Sequence, residues 1–98
     1  MEGKEILRKL THTSAPISHF KIVIKAKEFQ YPSDHVTFSF GYCDTCNRVA
    51  IHYFPMSNTF EMEFFQGIIS SFNLVKRYTD VQADLLTSTF EKETGLMI

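Results

Sequence analysis

Two cysteines three positions apart, in Gly41-Tyr-Cys-Asp-Thr-Cys-Asn-Arg48, are the residues of this chain best suited to chemistry. Two thiolates at a C-x-x-C turn reach one ion with little strain, and they supply half of a tetrahedral zinc site, which needs two more nitrogen or sulfur ligands. There is no third cysteine, so the partners must come from His12, His19, His35 and His52, from Asp44, or from water. Unligated thiols and a redox pair are the competing readings. A redox pair of the thioredoxin type sits at a helix N-terminus, which lowers the thiol pKa. Here the segment that follows, Arg48-Val-Ala-Ile-His-Tyr-Phe54, reads as a strand.

The elements around the cysteines decide which histidines can reach them. Phe20, Ile22, Ile24 and Ala26 alternate with Lys21, Val23, Lys25 and Lys27, which predicts a half-buried strand from Phe20 to Phe29. Tyr31-Pro-Ser-Asp34 is a turn signal. A second strand follows through Val36, Phe38, Phe40 and Tyr42, and a third through Val49–Phe54, ended by Pro55. If the second hairpin folds about Cys43–Cys46, facing residue numbers sum to about 89, which places His52 and His35 roughly 20 Å along the strands from the cysteines. The first hairpin sums to about 64 or 65, which puts His19 opposite Asp44 or Thr45, with His12 following through a loop that Pro16 helps to bend. The spacing therefore predicts a zinc site of Cys43, Cys46, His19 and His12, tying the N-terminal segment to the sheet. His35 and His52 read as turn or sheet-face residues.

Flanking this meander, Ile6, Leu7 and Leu10 share one face of a short N-terminal helix. In the C-terminal half, Asn58 with Glu61 reads as a helix start, and Phe60, Phe64, Phe65, Ile68, Ile69, Phe72 and Val75 form a stripe at helical spacing, predicting a helix from about Thr59 to about Lys76. Phe60, Met62 and Phe64 also alternate like a strand, and Gly67 would cost a helix ~1 kcal/mol. Asp80 is a candidate cap for a last helix through Val81, Leu85, Leu86 and Phe90, stopped at Gly95. The expected architecture is α+β: a three-stranded antiparallel meander with a zinc knuckle, packed against one or two C-terminal helices and the N-terminal one.

Ninety-eight residues accommodate one domain, 1–98, and a core this small gains from a metal staple. Ten phenylalanines and four tyrosines, with no tryptophan, give a core of large rings. Ten basic against eleven acidic side chains leave a formal charge of −1, so no global field steers the chain to nucleic acid or anionic lipid. Residues 1–27 nevertheless hold six basic side chains against Glu2 and Glu5. No apolar run approaches the ~20 residues of a membrane span, and the N-terminus lacks a signal-peptide layout. The expected compartment is a reducing cytosol, where paired cysteines bind metal or act in redox chemistry more often than they form structural disulfides. His-Glu-x-x-His, the deaminase signature and the Gly-x-Ser-x-Gly elbow are all absent, and Glu61 and Glu63 would point to different faces of a helix. The chain reads as a non-enzyme.

Two binding classes follow. A protein-binding module would use an apolar patch drawn from Phe54, Met56, Met62 and Phe65. A nucleic-acid-binding zinc ribbon would use Lys21, Lys25 and Lys27 on one strand face, Arg48 beside them, and Tyr42 or Tyr53 for stacking. Tyr42-Cys-Asp-Thr-Cys-Asn-Arg48 resembles a single zinc-ribbon knuckle, without the second Cys-x-x-Cys that such ribbons carry. At the level of class, the chain is similar to small phage-encoded inhibitors of bacterial defence systems, such as anti-CRISPR proteins acting on Cas9, though it lacks their strong acidity. That resemblance implies a compact, non-catalytic cytoplasmic inhibitor whose partner is a bacterial defence nuclease.

Overall fold

The computed structural model describes residues 1–11, 21–68 and 70–98. The chain is α+β, built on a five-stranded antiparallel sheet in simple sequential order. Helix α1 (Gly3–Thr11) leads into β1 (Lys27–Gln30), β2 (His35–Ser39), β3 (Arg48–Phe54), β4 (Thr59–Ile68) and β5 (Ser71–Val81). A 3-10 turn (Ala83–Leu85) then opens the C-terminal helix α2 (Leu86–Thr94). Both helices lie on one face of the sheet.

Alternation along the strands creates that buried face. Val36 and Phe38 of β2, Val49 and Ile51 of β3, and Phe60, Met62 and Phe64 of β4 are all buried. They form one apolar cluster with Ile6, Leu7 and Leu10 of α1 and Leu86 and Phe90 of α2. Phe90 sits at its centre, with ring centroids 6.2 Å from Phe38, 5.3 Å from Phe40 and 6.0 Å from Phe64. Two polar links hold the helices in place. The Thr87 hydroxyl donates to the Leu10 carbonyl, joining α2 to α1, and the Tyr78 hydroxyl donates to Glu93 at 2.6 Å, joining β5 to α2.

The sheet has five strands in place of the expected three-stranded meander. The helix expected over 59–76 is instead two strands. β4 pairs with β3 from Arg48↔Phe65 to Phe54↔Thr59, and with β5 from Phe60↔Val81 to Ile68↔Ser71. The period-two pattern of Phe60, Met62 and Phe64 prevails because pairing satisfies the second edge of β3, whose backbone a helix would leave open. Asn58 is not a helix cap. It turns the β3–β4 connection in the left-handed region at φ 54° and accepts the Tyr53 hydroxyl at 2.9 Å. Gly67 is not mid-helix either: it stands at φ 147° in the β4–β5 hairpin, where a Cβ would collide with the Ser71 carbonyl oxygen.

The expected first strand is also shortened. Residues 21–23 are helical, and β1 begins only at Lys27, with a bulge at Glu28 (φ 58°). Ile24 and Ala26 are buried as the alternation requires, but Ile22 is exposed. Asp80, expected as a cap, lies in β5 at φ 54°, and α2 starts at Leu86. The stop is where glycine predicts it: Gly95 adopts φ 74°, and its N–H donates to the Glu91 carbonyl at 2.8 Å.

Replacing Phe90 with alanine removes the ring that Phe38, Phe40 and Phe64 share. The expected loss is about 3–5 kcal/mol of unfolding free energy, measured by urea titration followed by circular dichroism.

Candidate functional site

The cysteine turn joins β2 to β3. It is pinned by main-chain bonds from Phe40 N–H to the Asn47 carbonyl (2.9 Å) and from Asn47 N–H to the Phe65 carbonyl (2.8 Å). The Asn47 side-chain amide reaches the Gly67 carbonyl at 2.7 Å. Cys46 is fully buried in the core and Cys43 partly so, with the two sulfurs 3.4 Å apart. Burial raises the Cys43 thiol, but hydrogen bonds from the Thr45 hydroxyl and amide and from Cys46 outweigh it and hold the group below its ordinary value. Cys46 goes the other way. Burial, then its hydrogen bond and charge interaction with Cys43, push it up to about 12. A thiol lowered from its ordinary value thus sits beside one that holds its proton.

Two sulfurs on a tetrahedral zinc at about 2.3 Å lie about 3.8 Å apart, so the observed pair needs only a slight opening to share an ion. Among the described residues, no group of three or more His, Cys, Asp or Glu side chains could hold a metal. The other two expected ligands, His12 and His19, lie outside the described residues. Gly41 N–H donates to the Ile24 carbonyl at 2.8 Å, which places the chain five positions beyond His19 against the start of the cysteine turn.

His35 and His52 stand away from the cysteines, as strand geometry requires, but their register differs from expectation. Facing residues in β2 and β3 sum to 87, so His35 pairs with His52 and their rings stack with centroids 4.2 Å apart. They belong to a second constellation, on the sheet face that α1 and α2 leave uncovered. There Glu63 accepts Arg77 Nη2 at 2.7 Å and lies 3.5 Å from His52 Nε2, while Glu61 is 3.9 Å from Arg77 Nε. Because residues 61 and 63 are in a strand, these two carboxylates share a face rather than diverging. Arg48 donates through Nη1 to the Ser39 hydroxyl (2.8 Å) and through Nη2 to the Thr37 hydroxyl (2.9 Å), and its guanidinium centre lies 5.5 Å from the Phe72 ring centroid. A hollow of about 340 Å³ opens here, lined by Arg48, Ala50, His52, Glu63, Phe65 and Phe72 among others. The readable signal for this group was the outward half of each alternation: Thr37 and Ser39; Arg48, Ala50 and His52; Glu61, Glu63 and Phe65.

The two expected binding patches fare differently. Of the apolar set, Met56 and Phe54 are exposed, Phe65 is half-buried in the hollow, and Met62 is core. The lysine row does not form. Lys21 is in a helical turn and Lys25 has φ 55°, so Lys21, Lys25 and Lys27 do not share one strand face. Lys25 Nζ instead lies 5.0 Å from the Tyr42 ring centroid beside the cysteines. Among the described residues no helix is long and apolar enough to cross a membrane.

Burial, and then the neighbouring His35, lower the pKa of His52, with Glu63 and Glu61 pulling the other way. A histidine lowered by folding binds more protons when unfolded, so its contribution to stability is complete above the unfolded value of about 6.5 and is lost as pH falls below it. Melting temperature should therefore decline between about pH 7 and pH 5.5, and His52→Gln should flatten that decline in parallel thermal scans. No family model, curated protein or solved structure matches this chain, so what it does must be reasoned from the chemistry of these residues.

Proposed function

We propose that this chain is a non-catalytic binding module that engages a protein partner through the open face of its sheet, with a zinc ion at Cys43 and Cys46 clamping the turn behind it. The observation that carries this reading is the asymmetry of the sheet. One face is sealed by α1 and α2. The other presents Phe65, Phe72, Ala50, Arg48 and the His35–His52 stack in a shallow hollow. Half-buried aromatic rings interleaved with anchored polar groups are the composition of a protein-binding surface, in which Phe and Arg are enriched. The acid–base groups on that face are engaged with one another. Glu63 is taken up by Arg77 and His52, and among the described residues no serine or cysteine is hydrogen-bonded to a histidine that could activate it.

Zinc fits the chemistry of the cysteine pair, a low-lying thiol 3.4 Å from its neighbour. His19 and His12 are the ligands we propose to complete the set. The metal would fasten the N-terminal segment to the β2–β3 turn. The class-level likeness to phage inhibitors nominates a bacterial defence nuclease such as Cas9 as the partner, acting in the host cytoplasm.

Metal analysis of the purified chain should return about one zinc per molecule. Cys43→Ser and His19→Ala should lose it, and chelation should lower the melting temperature by ~10 °C or more. A metal-free wild type of equal stability overturns the clamp. For the partner, excess chain added to a purified Cas9 cleavage reaction should suppress cutting, and Phe72→Ser on the open face should relieve the suppression, with an unchanged circular dichroism spectrum verifying the fold. Unimpaired cleavage, together with binding to mixed-sequence DNA that collapses as salt rises, would favour the nucleic-acid reading instead.

A further inference from the structure

Arg48 and Arg77 lie on the same open face but in opposite circumstances. Arg77, half exposed, is answered by two carboxylates. Arg48 is more buried, and its guanidinium is held in a fixed plane by two hydroxyls and an aromatic ring, yet among the described residues no carboxylate forms an ion pair with it. Ser39 and Thr37 are neutral acceptors. They orient the cation without neutralising it, and they use two of its five N–H donors. A half-buried charge left unanswered is costly unless something outside the chain answers it.

We infer that Arg48 is an anchor for a carboxylate, and that the hollow around it receives an aspartate or glutamate side chain from an acidic segment of a partner protein. This rests on the open sheet face being the partner surface, and names the chemistry of that partner. The planar guanidinium matches a carboxylate two oxygens at a time, and Phe65 and Phe72 line the hollow beside it. A volume of about 340 Å³ suits a side chain and its neighbours rather than a large cofactor. The surrounding charges favour protein over nucleic acid. Glu63 lines the hollow and the chain carries −1 overall, so one carboxylate can meet Arg48 where the run of charges of a phosphate backbone crossing the face would be repelled.

The test is an NMR titration of the ¹⁵N-labelled full chain, followed at the Arg48 Nε–Hε resonance and at the amides of Thr37, Ser39 and Ala50. Three probes of equal length are compared: a peptide of about eight residues alternating glutamate and valine, its glutamine counterpart, and single-stranded oligothymidylate. The glutamate peptide should shift the Arg48 signal saturably, with the glutamine peptide at least about tenfold weaker. Arg48→Gln should abolish the preference, and Arg48→Lys, which keeps the charge without the fork, should weaken glutamate binding by about tenfold. Should the glutamine variant fail to fold, the lysine variant decides alone. Equal shifts from both peptides, or a glutamate preference that survives in the Arg48 variants, would overturn the anchor while leaving the open face as a binding surface. Tighter binding of oligothymidylate at Arg48 overturns the acidic-protein partner. No open-face shift with any probe at millimolar concentration overturns both readings.

Discussion

The contact of Phe90 with Phe38, Phe40 and Phe64 is the interaction on which the rest of the structure depends. It seats α2 across the middle strands, and α1 packs beside it through Ile6, Leu7 and Leu10. With two short helices there is enough apolar surface to cover one face of a five-stranded sheet. The second face is left to water, and every outward side chain on β2, β3 and β4 must be reconciled with that exposure.

The reconciliation is uneven across the face. At the Glu61–Glu63–Arg77 end, one guanidinium answers two carboxylates, with Arg77 Nε and Nη2 both donating to a single Glu63 oxygen. Level with Glu61, two histidines stack, and burial keeps His52 disposed to be neutral. At the cysteine end, Arg48 is oriented with its charge unanswered among the described residues, and hydroxyls rather than carboxylates hold it. The sheet edges are guarded separately. β1 is short and bulged, and β5 breaks its register twice and carries Lys76, Arg77 and Asp80, features that discourage edge-to-edge association.

The cysteine turn belongs to both faces. Cys46 is part of the core, while Asn47 beside it bonds across to the Gly67 carbonyl at the start of the β4–β5 hairpin, and Arg48 opens the exposed face. Anything that closes on Cys43 and Cys46 therefore acts on the strand that carries Arg48.

Much of this was legible in the residues themselves. The Ile6, Leu7 and Leu10 stripe, the alternation of Val36 and Phe38, the Val49–Phe54 strand and the glycine stop at Gly95 are local patterns that admit one conformation each. The cysteine turn between two strands was equally plain. Tertiary structure decided where two periods competed. Residues 59–76 carry a helical stripe and a strand alternation at once, and the free edge of β3 selected the strand. That choice put Glu61 and Glu63 on one face, where Arg77 of β5 meets both. Register was decided in the same way: a shift of two in the β2–β3 pairing brought His35 against His52, because hairpin register follows the path of the whole turn and its anchors on β4. The sequence alone thus named the cysteine pair and the inward faces of the strands. The outward constellation around Arg48 arose only when strands distant in sequence were laid side by side.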